Sequence, residues 1–267
     1  MKYSGIALFA DLDGTLLDDK RQLSDENLAA VRYFVENGGS FAVATGRMER
    51  STLINFPELT VNTPSIFYNG ALVYDINRRE ELYQVYMPEG LEPVFQHILD
   101  SFPTCGLEVN AKGEAYVIRY NDKIDFQLKR EGFKGIMSGW DEVPREWYKI
   151  LIADTRPILT GIKEYLKNLK RTDISVTFSE EELIDIMASS VSKGAALERI
   201  KKDNSDKWRI VFSIGDNDND LDMIRTADVG IAVGNASEKV KAAAKYIVAH
   251  HNTPCMPQVL DIIGRYL

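Results

Sequence analysis

Short, wholly apolar runs alternate with amphipathic stretches at both ends of the chain, and a different pattern fills the middle. Residues 6–10 are apolar throughout, which predicts a strand of a parallel sheet buried on both faces. Ser24 suits a helix N-cap, Asp25 and Glu26 suit its first turn, and Leu28, Val31, Phe34 and Val35 recur at helical spacing until Asn37-Gly38-Gly39 stops the helix. Residues 41–44 and 65–68 predict two further strands, followed by Thr45-Gly46-Arg47 and by Asn69-Gly70. The rhythm resumes after residue 187. Residues 195–201, 221–226 and 259–266 are expected as helices, Ser237 caps another, and 210–214, 229–233 and 246–248 are expected as strands. Strands regularly interleaved with helices predict an α/β core around a parallel sheet.

Between residues 81 and 187 apolar positions alternate instead: Leu82 and Val85, Tyr116 to Ile118, Ile150 to Ile152, then Ile174, Val176 and Phe178, with helical stretches near 91–99 and 159–169. This predicts an inserted α+β domain with an antiparallel sheet. The core would then be discontinuous, residues 1–80 with 188–267, interrupted by 81–187.

The bulk numbers narrow the function classes. The 267 residues carry a net charge of −8, and no Lys/Arg-rich run exceeds a pair such as Lys201-Lys202, so a nucleic-acid partner is not expected. Two cysteines, Cys105 and Cys255, do not make a disulfide scaffold. No apolar stretch approaches the length of a membrane span, and the start of the chain lacks a signal-like core, which makes the cytoplasm the expected compartment. An acidic protein can still bind a small anion if its site supplies local positive charge, most simply as a metal ion.

Four clusters sit at strand ends or helix starts. Asp11-Leu12-Asp13-Gly14-Thr15 follows the first strand, where α/β sheets bind ligands, and two carboxylates brought together there repel unless a cation or proton lies between them. A hard cation such as Mg²⁺ prefers such ligands. Gly215-Asp216-Asn217-Asp218-Asn219-Asp220 gathers more carboxylates after the 210–214 strand, with Asp218 and Asp222 expected as cap or surface residues. Thr45-Gly46 offers a hydroxyl and an N–H for an anion. Ser192-Lys193-Gly194 opens a helix with a point charge suited to a phosphate oxygen. Each cluster alone also fits an ordinary turn, cap or solvated surface; the set in this order does not.

That set resembles the haloacid dehalogenase superfamily across the whole core. The length of the insert between Thr45 and Lys193, together with Asn69-Gly70-Ala71, looks like its Cof-type subgroup with a type IIB cap. The resemblance implies a Rossmann-like core with an α+β cap that closes over the site, and a Mg²⁺-dependent phosphatase acting on sugar phosphates or related small phosphorylated metabolites. It implies Asp11 as nucleophile forming an aspartyl-phosphate, Asp13 as general acid and base, and Mg²⁺ held by Asp11, the Asp13 backbone carbonyl and Asp216. It places the N–H groups of Leu12 and Gly46, together with Thr45, Lys193 and Asn219, on the phosphate, with Asp220 orienting Lys193 or a metal-bound water. Arg47 and Asn69 are further candidates for phosphate or substrate, although a salt bridge and a turn explain them as well. Arg119, Tyr120 and Trp140 are candidate cap residues. His250-His251 departs from the expected acidic or Asn-rich turn and suits either a metal or a surface loop. A sugar phosphomutase would use the same Asp pair, and a signalling receiver domain shares the Asp, Thr and Lys but lacks the long insert.

Overall fold

The structure is a computed structural model that describes residues 1–267. It divides into two compact units, one formed by residues 1–46, 56–83 and 192–267, the other by 47–55 and 84–191.

The first unit is built on a five-stranded sheet in the order Tyr246–Ile247, Val229–Ala232, Ile210–Gly215, Ile6–Ala10, Ser40–Val43, with every neighbouring pair parallel. Ile6–Ala10 is an interior strand, paired on both sides and wholly buried, as its continuous apolar run requires. It is held in register by Ile6 opposite Ile210 and Ala7 opposite Ser40. Phe9 and Phe41 are fully buried, and truncating either ring to Ala would cost about 3–5 kcal/mol. A single parallel bridge, Ala44 to Ile66, continues into a small sheet of Ser65–Phe67, Leu72–Asp75 and Glu80–Gln84. The alternating residues around Leu82, expected in the inserted sheet, therefore extend this small sheet, because their hydrogen bonds go to Leu72–Asp75.

The first helix, Asp25–Glu36, is capped by the Ser24 hydroxyl, which accepts from the Asn27 N–H. Its buried stripe is Asn27, Ala30, Val31 and Phe34; Val31 and Phe34 are buried as expected, whereas Leu28 and Val35 are only half-buried and Asn27 and Ala30 take their share of the face. The stripe can begin on a polar residue because Asn27 is satisfied inside: its amide donates to the Leu16 carbonyl at 3.2 Å and accepts from the Met256 N–H at 3.0 Å. The last helix accordingly starts earlier than expected, spanning Met256–Gly264.

The second unit carries a six-stranded sheet ordered Ile174–Glu180, Leu183–Ala188, Trp147–Ala153, Gly106–Ala111, Glu114–Arg119, Ile136–Met137. Its pairings are antiparallel except the last, which is parallel. Leu107, Val109, Ile150, Ile152, Ile184 and Ile186 share one core with Phe95, Ile98, Leu159 and Ile162 of the helices Glu92–Ser101 and Arg156–Asn168. Strand alternation sends Glu108, Asn110, Lys149 and Asp185 to the opposite face. Two strands that the pattern did not announce, Gly106–Ala111 and Leu183–Ala188, lie inside this sheet, and an unannounced helix, Asp122–Glu131, is capped by Asn121. No helix is long and apolar enough to cross a membrane.

Candidate active site

Asp11 leaves the carboxyl end of the Ile6–Ala10 strand, its N–H bonded to the Ile214 carbonyl at 3.0 Å. The chain then turns sharply. The Leu12 carbonyl accepts from the N–H groups of Thr15, Leu16 and Leu17, and Gly14 adopts φ +78°, which an L side chain rarely reaches. A side chain at Gly14 is also excluded sterically, since a Cβ there would lie 2.6 Å from Asp216 Oδ2. The turn is thus pressed against the second acidic cluster, and the Thr15 hydroxyl donates to Asp216 Oδ1 at 3.3 Å.

That cluster is shaped by its own caps. Asn217 caps the turn Asp218–Asp220, and one Asp220 oxygen accepts from the N–H groups of Asp216 and Asn217 at 3.0 and 3.1 Å. The other Asp220 oxygen accepts from Lys193 Nζ at 2.7 Å, and Lys193 also donates to Asp11 Oδ1 at 2.7 Å. Lys193 reaches there because it opens the helix Lys193–Asp203, whose N-cap Ser192 accepts from Ala195 N–H. Its ammonium is wholly buried. Asp218, by contrast, pairs with Lys239 at the surface.

Carboxylate oxygens of Asp11, Asp216 and Asp220 lie within 4.8 Å of one another. Burial, reinforced by the Asp220 carboxylate and opposed by Lys193 and the Thr15 hydroxyl, pushes Asp216 up to about 6. Burial likewise raises Asp11 well above the usual carboxylate range, although Lys193 works against it. For Lys193, burial favours the neutral amine, but Asp11 and Asp220 outweigh it and hold the ammonium charged. One cation therefore faces three carboxylates. An all-oxygen donor set with surplus negative charge fits a hard divalent cation such as Mg²⁺. Asp220 has both oxygens engaged by the chain, which leaves Asp11 and Asp216 as its free carboxylate donors.

The remaining candidates divide. Thr45 is buried beside the strand end, its N–H bonded to Ile66 and its carbonyl to the Asn69 N–H. Asn69, left-handed at φ 54°, accepts from the Asn219 amide at 2.9 Å, and its side chain lies 3.0 Å from the place a Gly46 Cβ would take. Thr45, Gly46, Asn69 and Asn219 thus form one neighbourhood. Leu12 is fully buried within the turn. Asp13 is half-exposed, with Arg21 Nη1 3.4 Å from its carboxylate. Arg47 belongs to the second unit, buried in a pair with Glu131, which also takes the Ser51 hydroxyl. Arg119 donates to the Leu99 and Phe102 carbonyls and so caps the end of a helix, Trp140 packs on Trp147, and Tyr120 is exposed. His251 bonds Asp19 through its ring at 2.9 Å. Sequence reasoning missed Thr15 as a partner of Asp216, Arg21 as a partner of Asp13, and Asn235, whose amide donates to the Gly14 carbonyl at 2.7 Å. The signal for Asn235 was present: Gly234-Asn235 follows an apolar strand at the same end of the sheet.

Comparison with known proteins agrees with this architecture. The family model of haloacid dehalogenase-like hydrolases matches residues 8–260. Phosphatase YwpJ of Bacillus subtilis is 28% identical over 268 residues, covering 88% of this chain and 91% of the relative. Pyridoxal phosphate phosphatase YbhA of Escherichia coli is 25% identical, covering 94% and 95%. A haloacid dehalogenase-like hydrolase from Bacteroides thetaiotaomicron, solved by crystallography, superposes with a TM-score of 0.88 at 24% identity, covering 98% of this chain and 99% of that one.

Proposed function

The chain belongs to the haloacid dehalogenase-like hydrolase family, and from that premise we propose that it is a Mg²⁺-dependent phosphatase of small phosphate monoesters, working through an aspartyl-phosphate on Asp11. The observation that carries the reading is the buried junction of Asp11, Lys193, Asp220 and Asp216 at the carboxyl ends of the Ile6–Ala10 and Ile210–Gly215 strands. Two of the relatives are named phosphatases, one of them for pyridoxal phosphate, which favours small phosphorylated metabolites such as sugar phosphates or phosphorylated cofactors as substrates.

The Asp11 and Asp216 carboxylates, with the Asp13 backbone carbonyl, would hold Mg²⁺. When bound, the ion would neutralise charge on the phosphoryl oxygens and on the carboxylates that crowd the site. Asp11 attacks phosphorus through a carboxylate oxygen, and the bond to the ester oxygen breaks. Asp13 gives its proton to that departing oxygen. Water then attacks the aspartyl-phosphate, giving a proton to Asp13 as phosphate leaves and Asp11 is restored. Lys193 stays protonated throughout, orients the Asp11 carboxylate, and offsets charge that builds on the phosphoryl group. Asp220 fixes Lys193 in place. Thr45, the N–H groups of Leu12 and Gly46, and Asn219 receive the phosphoryl oxygens, and Asn69 holds Asn219. The pairing of Arg47 with Glu131 favours a structural role for that side chain over a substrate contact.

The test is phosphate release from a panel of sugar phosphates, nucleotides, flavin mononucleotide and pyridoxal phosphate, run with Mg²⁺, with EDTA, and with Asp11→Asn protein. Release that needs Mg²⁺ and vanishes in the variant supports the reading. No release from any ester by folded protein in Mg²⁺ overturns it.

A further inference from the structure

The turn that carries Asp11 and Asp13 is tied to the far edge of the same unit by a short relay of hydrogen bonds. At one end, the Asn235 amide donates to the Gly14 carbonyl at 2.7 Å. The same side chain accepts from the His251 N–H at 3.0 Å. His251 in turn reaches Asp19 through its ring at 2.9 Å. Asn252 closes the relay, its amide donating to Asp19 Oδ2 at 2.7 Å while its oxygen accepts from the Asp19 N–H at 3.0 Å. Residues 14 and 19 are therefore both fastened to the 250–252 loop, residue 14 through the Asn235 side chain.

The placement matters because Gly14 is closely packed on its other side. It lies against Asp216, where even a methyl group would be 2.6 Å from the carboxylate. The carbonyl that Asn235 grips belongs to the Gly14-Thr15 peptide, whose Thr15 hydroxyl donates to Asp216 and whose Gly14 follows Asp13 directly. The two soft dihedrals of Gly14 lie between this carbonyl and the Asp13 peptide, so pinning the carbonyl at one end while Gly14 is held at φ +78° against Asp216 limits how the Asp13 backbone can re-orient. Asn235 is itself held: its neighbour Gly234 bonds the Ala249 carbonyl, and Ser237 N–H bonds the Asp216 carbonyl at 2.8 Å. One short segment, 234–237, thus contacts both acidic loops.

We propose that Asn235 is a positioning residue that fixes the Gly14-Thr15 peptide and so holds the 13–15 turn against Asp216, setting both the backbone carbonyl of Asp13 for Mg²⁺ and its carboxylate for proton transfer. The inference rests on the phosphatase reading. Asn235 touches neither substrate nor metal; it acts through Gly14. Its oxygen and nitrogen have separate duties, so a carboxylate in its place keeps the bond to His251 and turns the donor towards Gly14 into a repelled acceptor.

The experiment compares Asn235→Ala, Asn235→Asp and Asn235→Gln with the wild type. Mg²⁺ binding to the substrate-free protein is measured by titration calorimetry, kcat and KM are measured for a phosphate ester at saturating Mg²⁺, and melting temperature is recorded for each. Partners that orient metal ligands are typically worth about 10–100-fold in metal affinity. The expected result is Mg²⁺ affinity weakened about tenfold or more, with kcat reduced and KM nearly unchanged, and Asn235→Asp impaired more than Asn235→Ala. Asn235→Gln, which keeps the amide but displaces it by one methylene, follows the same direction and remains informative if another variant does not fold. Folded variants with wild-type Mg²⁺ affinity and kcat, whatever their melting temperature, overturn the inference alone. A wild type that binds Mg²⁺ nowhere and releases no phosphate overturns the phosphatase reading and the inference with it.

Discussion

Lys193 and Asp11 stand 182 positions apart in the chain and 2.7 Å apart in the fold. The ammonium is wholly buried and shared between Asp11 and Asp220. Removing one partner of a buried ion pair leaves an uncompensated charge and typically costs about 3–5 kcal/mol. Lys193→Met is therefore expected to be less stable by about that amount near pH 8, and less so near pH 5, where Asp11 can take a proton. Its kcat should fall by about a hundred- to a thousand-fold, the scale of losing one charged stabilising group. Thermal unfolding at the two pH values and steady-state kinetics check this.

Asp11 and Asp13 should fail differently. Asp11→Asn is expected to lose turnover to background while keeping its fold, because an amide cannot form the phosphoryl bond. Asp13→Asn should retain a trace, since a general acid contributes about 10²–10⁴-fold. A leaving group of low pKa, such as p-nitrophenolate, needs less proton donation. The loss in Asp13→Asn should accordingly be smaller for p-nitrophenyl phosphate than for a sugar phosphate, and equal losses on both would count against the assignment.

Mg²⁺ binding should depend on pH through the acidic pair. Asp216 sits near 6 in the folded chain, above its ordinary value, and Asp11 is raised as well. The folded state holds these protons more tightly than the unfolded chain, so metal-free protein should lose stability as pH rises from about 4 to 6. Mg²⁺ competes for the same oxygens and should restore it. The rise in melting temperature on adding Mg²⁺ is expected to be clearly larger at pH 7.5 than at pH 5, and an equal rise at both would argue against Asp216 as a ligand.

Gly70 is a steric test of how the Lys193 helix is seated. It adopts φ +109°, and a Cβ there would lie 2.3 Å from the Ser192 carbonyl oxygen. Gly70→Ala is expected to destabilise the protein by about 1–3 kcal/mol. Because Ser192 is the N-cap from which Lys193 starts, kcat should fall too, although residue 70 carries no reacting group. Denaturant unfolding and kinetics on the folded variant give both values.

The second unit offers a stability prediction of its own. Glu108 is buried on the polar face of the six-stranded sheet, with one oxygen against Asn110 and the other without a partner. Burial pushes it up to about 7, although the Asn110 hydrogen bond opposes the shift. The folded state therefore loses stability as pH climbs from about 4.5 to 7 and the carboxylate is forced to ionise. Glu108→Gln removes that cost while keeping an oxygen for Asn110. The variant should melt higher than wild type at pH 8 and about level with it at pH 5.

The sequence by itself determined the α/β class, the buried strand at 6–10, the caps at Ser24 and Ser237, and the grouping of Asp11, Thr45, Lys193 and Asp216 at strand ends and helix starts. These are local signals: an unbroken apolar run, a hydroxyl before a helix, or a turn residue after a strand is written in adjacent positions. The resemblance of the four clusters to a known family supplied the roles. Tertiary structure alone decided that Lys193 is fully buried between two carboxylates, that Asp220 spends both oxygens on the chain, and that the buried stripe of the first helix begins at Asn27. It also decided that residues 47–55 pack with the second unit, and that Asn235 reaches the Gly14 peptide across 221 positions. Periodicity ranks positions by polarity, so it assigns a polar residue to the surface. Whether Asn27, Lys193 or Glu108 can stay inside depends on partners brought by distant segments, and that information exists only once the chain has closed on itself.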